Sequence, residues 1–134
     1  MPLFDFSKDD RANVDRIKAK TLRMIMEASK SSYPNEFAAF LRAEGRTIKE
    51  LMLLPGTVSG NSHAIFQMSM LPVDFTVVGT VHSHPSDTSL PSDADLDLFR
   101  RYGWVHLITH YPYEMNCFTA YNGRGEIVEL EIVD

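Results

Sequence analysis

The sequence predicts a single α/β domain, mostly sheet, with two principal helices. Three observations lead there. A length of 134 residues with 44% apolar side chains suits one compact core and is too short for two. Two segments carry apolar residues at helical spacing. Between and after them run short stretches rich in β-branched and aromatic residues, punctuated by glycine and proline.

Residues 1–13 carry no stable periodicity and read as a tail or extended arm, with residues 1–16 placed outside the domain and 17–134 within it. From Lys20 to Ser32, Thr21, Leu22, Ile25, Met26 and Ala28 form a helical stripe. Tyr33-Pro34-Asn35 ends it, because the residue before a proline disfavours the α conformation. Phe37 to Arg42 and Ile48 to Leu54 read as strands joined at Glu44-Gly45, with Pro55-Gly56 closing the second. A further strand fits His63 to Met68. Phe75 to His82 is the strongest strand of the chain, followed by a Ser-, Asp- and Thr-rich loop from Pro85 to Pro91. Ser92 to Tyr102 reads as a helix with Leu96, Leu98 and Phe99 inward, ending at Gly103. Trp104 to Thr109, Asn116 to Tyr121 and Ile127 to Val133 complete the sheet. The last two are joined by the turn Asn122-Gly123-Arg124-Gly125.

Composition narrows the function classes. With 13 basic and 18 acidic residues and no Lys/Arg run, the chain offers no footprint for nucleic acid or an anionic membrane. Its single cysteine, Cys117, excludes an internal disulfide and a Cys-rich zinc cluster, and it reads as a buried thiol on a strand. The first ten residues lack the basic and apolar regions of a signal peptide, and no apolar run reaches the ~18 residues of a membrane span. A cytoplasmic protein is the expectation.

The chemistry-bearing stretch is His82-Ser83-His84-Pro85, then the loop, then Ser92-Asp93-Ala94-Asp95. Histidines at i and i+2 near a strand end point to the same face, so one metal could take a nitrogen from each. Ser92 and Asp95, three apart at a helix start, also share a face. If the loop folds back, Asp95 supplies a third ligand, and three protein ligands with an open position are the coordination of a catalytic zinc. Each piece has a plainer reading. A lone strand histidine is ordinarily a core or surface residue, and Ser-x-x-Asp before an apolar run is also a helix capping box. The two roles of Ser92 and Asp95 are compatible. Ser83 should point away from the histidines and serve structure. His63, His106 and His110 lie on predicted strands away from the motif and read as structural or exposed.

The pattern His-x-His-x7-Ser-x2-Asp resembles the signature of the JAMM (MPN+) metallopeptidases, most closely their short stand-alone archaeal members, over roughly residues 17–133 and including the region of Tyr111-Pro112-Tyr113. The resemblance implies an MPN-domain fold, cytidine-deaminase-like, with a curved mixed sheet. It implies one Zn2+ per chain held by His82, His84 and Asp95. It also singles out Glu36, after the first helix and at the head of a strand, as general acid and base; spacing alone would leave Glu36 a solvated carboxylate. Ser92 would then stabilise the oxyanion formed when an activated water attacks an amide.

The same resemblance implies an isopeptidase or peptidase acting after the C-terminal glycines of ubiquitin-like modifier proteins and their conjugates, in archaea small β-grasp modifiers that double as sulfur carriers. Three other readings stand beside it. One is a peptidase that processes a sulfur carrier in cysteine or cofactor synthesis. A second is the bacterial RadC-like branch, against which Ser83 and Asp87 argue. The third is a metal-free MPN interaction scaffold, which typically lacks motif residues that are all present here. Leu3, Phe4 and Phe6 on a polar arm would pack on the domain or on a second copy, so a homodimer is compatible with the sequence.

Overall fold

The computed structural model of the chain describes residues 11–53 and 76–134. Its described elements are β1 (Arg16–Lys18), α1 (Ala19–Ser32), β2 (Ala38–Glu44), β3 (Thr47–Leu53), β4 (Val77–His84), α2 (Asp93–Tyr102), β5 (Val105–His110), β6 (Phe118–Tyr121), β7 (Ile127–Val128) and β8 (Glu131–Val133), with a short 3-10 turn at Arg11–Asn13. The expected strand His63 to Met68, the turn at Pro55-Gly56 and the arm residues Leu3, Phe4 and Phe6 lie outside the described residues.

Side-chain alternation sorts the sheet into two faces. Ala39 and Leu41 of β2, Val81 of β4 and Leu107 of β5 join Leu22, Ile25 and Met26 of α1 in the main core. Ala38 and Phe40 point the other way and pack with Leu98 of α2, while Ile108 packs with Phe99 of the same helix. The helical stripe is as expected, except that Ser29 rather than Ala28 is fully buried. Its hydroxyl bonds the Ile25 carbonyl at 2.8 Å and faces the Thr109 hydroxyl at 3.0 Å.

The strands form one mixed sheet in the order β7-β6-β5-β4-β2-β3-β1-β8. β4 runs antiparallel to β2 and parallel to β5, so α2 is the crossover between two parallel neighbours. β4 continues two residues beyond the expected end and carries His84, which pairs with His110. Two further differences are informative. Arg16 to Lys18, placed at the edge of the arm, form a strand held in parallel by both β3 and β8. The stretch Ile127 to Val133, expected as one strand, divides: Ile127 and Val128 pair with β6, whereas Glu131 to Val133 pair with β1 at the opposite end of the order. Only Glu129 and Leu130 separate those two pairings. A link this short holds both edges together, which requires the sheet to curl. None of the described helices is long and apolar enough to cross a membrane.

Candidate metal centre

His82 and His84 occupy the last turn of the pleat in β4, on the face covered by α2. Antiparallel pairing of β2 with β4 sets Ala38 against His82. Continued toward the start of β2, that register brings Glu36 opposite His84. It is pinned between them: Phe37 donates its N–H to the Ser83 hydroxyl at 2.8 Å, and Ser83 donates its own N–H to the Phe37 carbonyl at 2.9 Å. Ser83 is thus structural, as its position between the histidines predicted, and its contact fixes where Glu36 stands. Donor atoms of Glu36, His82 and His84 all lie within 4.8 Å of one another and could hold a metal ion.

Asp95 arrives from the other side. Ser92 caps α2, accepting the Asp95 N–H at 3.1 Å, while Asp95 Oδ2 accepts the Ser92 N–H at 2.8 Å. This reciprocal capping box locks the carboxylate in place. From there Asp95 Oδ1 stands 3.0 Å from His82 Nε2 and Oδ2 3.2 Å from His84 Nε2. The cap of the plain reading is present, and it aims the carboxylate at both imidazoles.

The donor set fits zinc. Ligand atoms at about 2.0–2.1 Å from a tetrahedral zinc stand about 3.3 Å apart, and the Asp95 contacts with the two imidazoles, at 3.0 and 3.2 Å, are close to that. His82 is wholly buried, and neither of its ring nitrogens has a hydrogen-bond partner among the described residues; its contact with Asp95 is close without being aligned. A buried imidazole left this way is costly unless something else engages it. His84 is better supplied, with Nδ1 against the Thr88 carbonyl at 3.2 Å, so its Nε2 is the nitrogen turned toward Asp95.

Electrostatics separate the two carboxyl groups. Burial alone would raise Asp95, but its contacts with His82 and His84 and with the Ser92 N–H outweigh burial and hold it well below the usual carboxylate range. Glu36 moves the other way, raised by burial against the partial opposition of the two histidines. For His84, burial opposes the charge but the Asp95 carboxylate prevails, and its pKa is raised.

Comparison with known proteins shows the family. A family model described as prokaryotic homologs of the JAB domain matches residues 18–121. The chain belongs to this family. A Haloferax volcanii relative named a probable metalloprotease is 37% identical over 128 residues, spanning 88% of this chain and 79% of the relative. A crystal structure of a JAB1/MPN domain protein from Archaeoglobus fulgidus superposes with a TM-score of 0.72 at 39% identity, covering 90% of this chain and 97% of that one. A structure described as a metalloprotease-like JAMM zinc site in the proteasome and signalosome gives 0.72 at 40% identity, covering 90% and 99%. The JAB1/MPN fold, with its curled mixed sheet and two helices, is the one expected from the motif.

Of the other histidines, His106 of this JAB-family chain is wholly buried. It sits against the Thr80 hydroxyl at 2.7 Å and stacks on Phe99 with ring centroids 4.5 Å apart. His110 engages the Tyr111 carbonyl through Nδ1 at 3.0 Å. His63 lies outside the described residues. What the sequence reading missed is the support around the motif: Tyr113 donates to the His84 carbonyl at 2.8 Å and Tyr121 to the Ser89 carbonyl at 2.7 Å. The resemblance had included the region of Tyr113 but not what its hydroxyl does, and Tyr121 lies far from the motif in sequence, so both contacts come from the fold.

Proposed function

We propose that this chain is a zinc isopeptidase or peptidase that cuts the amide bond following the C-terminal glycines of ubiquitin-like proteins, with His82, His84 and Asp95 as metal ligands. The observation that carries the reading is the convergence of Asp95, fixed by its helix cap, on the Nε2 atoms of two strand histidines, with Glu36 just ahead of the neighbouring strand. When bound there, zinc supplies Lewis acidity to a carbonyl and to water at neutral pH.

The chain's own residues divide the remaining work. Asp95, held ionised, suits a ligand, and its cap keeps it from swinging away. Glu36 has the raised pKa of a group that takes a proton from water and returns it to a leaving amine. The Ser92 oxygen accepts the Asp95 N–H, which leaves its O–H to donate to a developing oxyanion. The relative named a probable metalloprotease supports the peptidase part; the substrate part rests on the motif's resemblance.

The test is cleavage of a ubiquitin-like protein joined through its C-terminus to a lysine side chain, alongside a linear carrier fusion. Cleavage should stop with chelation and return with zinc, and Glu36→Gln should retain zinc while losing most turnover. Full activity in Glu36→Gln would remove the acid–base role. Cleavage of the linear fusion alone would favour carrier processing, and a zinc-loaded wild type inert on both would refute the assignment.

A further inference from the structure

The segment from Pro85 to Pro91 joins one proposed ligand, His84, to the cap that holds another, and it contains neither helix nor strand. A segment of that composition has many conformations to lose on ordering. Yet its carbonyls are taken one after another. Ser86 accepts the Tyr111 N–H at 2.9 Å, Thr88 engages His84 Nδ1 at 3.2 Å, and Ser89 accepts the Tyr121 hydroxyl at 2.7 Å. The carbonyl of His84 itself accepts the Tyr113 hydroxyl at 2.8 Å.

Both phenols come from rigid, buried rings. Tyr121 is 4% exposed and stacks on Phe99 with centroids 5.6 Å apart, and Ser89 beneath its hydroxyl is 7% exposed. Tyr113 is 2% exposed and takes a φ of 64°, a left-handed conformation that a bulky residue adopts only when its surroundings hold it there. One phenol therefore pins the backbone of His84. The other pins Ser89, and with it the adjacent Thr88 carbonyl that faces His84 Nδ1. A ligand histidine ordinarily donates its second ring N–H to such a partner, which sets the tautomer and ring orientation.

We propose that Tyr113 and Tyr121 are positioning residues for His84, acting through its own carbonyl and through the Ser89–Thr88 backbone, so that the imidazole is presented to metal before metal arrives. The inference rests on the zinc reading of His82, His84 and Asp95.

Tyr121→Phe and Tyr113→Phe each delete one hydroxyl and keep the ring. In the full chain, zinc affinity measured by chelator competition on folded protein should weaken roughly tenfold in each. Amides of residues 86–90 should exchange faster in metal-free Tyr121→Phe than in metal-free wild type. A purely structural role would lower the melting temperature and leave the affinity of the folded protein unmoved. Wild-type affinity in whichever variant folds overturns the proposal while sparing the zinc site. Failure of the wild type to bind zinc overturns the site reading and this inference together.

Discussion

Ser92 spends its hydroxyl oxygen on the helix cap and has its O–H left for chemistry, and the two roles separate by substitution. Ser92→Ala removes both. It should cost about 1 kcal/mol of stability for the lost cap and slow turnover by roughly 10²–10³ with zinc retained. Ser92→Gly is the discriminating variant, since glycine at an N-cap costs only a few tenths of a kcal/mol. It should melt near wild type and still be slow; a wild-type rate in Ser92→Gly would reduce Ser92 to a cap. The legibility of the site follows the same local logic. His82, His84 and Asp95 lie within fourteen positions of one another, and strand and helix periodicity place them on shared faces. Glu36 comes from the distant segment leading into β2, and its place opposite His84 follows from continuing the register Ala38 to His82, which no spacing in the sequence encodes. For Glu36 the family motif was the only available signal.

At the scale of elements, the long strands were legible because β-branched runs and turn residues bound them. The short ones were not. Arg16-Ile17-Lys18 offers a single apolar residue and no period, and it becomes a strand because β3 and β8 flank it. The division of Ile127 to Val133 has a comparable origin, in long-range pairing with two different neighbours. β4 contains a feature whose cost can be measured. Gly79 pairs with Val105 of β5, and a methyl group there would overlap the Val105 carbonyl. Backbone cannot step aside as a flexible side chain can, so Gly79→Ala should destabilise by at least the ~1–3 kcal/mol typical of overpacking. Denaturant unfolding reads this directly. Wild-type stability in Gly79→Ala would mean that β4 and β5 do not approach so closely at this point.

For the molecule as a whole, closure of the sheet depends on Glu129 and Leu130, because three Cα steps from Val128 to Glu131 reach at most about 11 Å. Leu130 also packs against the main core, so the link is buttressed from inside. On the face covered by α2, Phe99 stacks on His106 and solvent does not reach the imidazole. Burial first, then the nearby charge of His82, pushes its pKa down to about 3. In the unfolded chain the same imidazole titrates near 6.5. The folded state therefore keeps His106 neutral, while the unfolded state takes up a proton as pH falls below 6.5. The stability this represents is fully present above pH 6.5 and is lost as pH falls toward about 3, at about 1.4 kcal/mol per pH unit where only the unfolded state is protonated. Glu36, His84 and Asp95 add their own pH dependence, common to wild type and variant, so the difference between them isolates His106. In metal-free protein, His106→Gln should show a shallower loss of unfolding free energy between pH 6.5 and 4.5 than wild type, even if its stability at neutral pH is lower. Parallel pH profiles for the two would show that His106 is protonated in the folded protein over that range, and the acid sensitivity of the fold would then have to come from the metal-site groups.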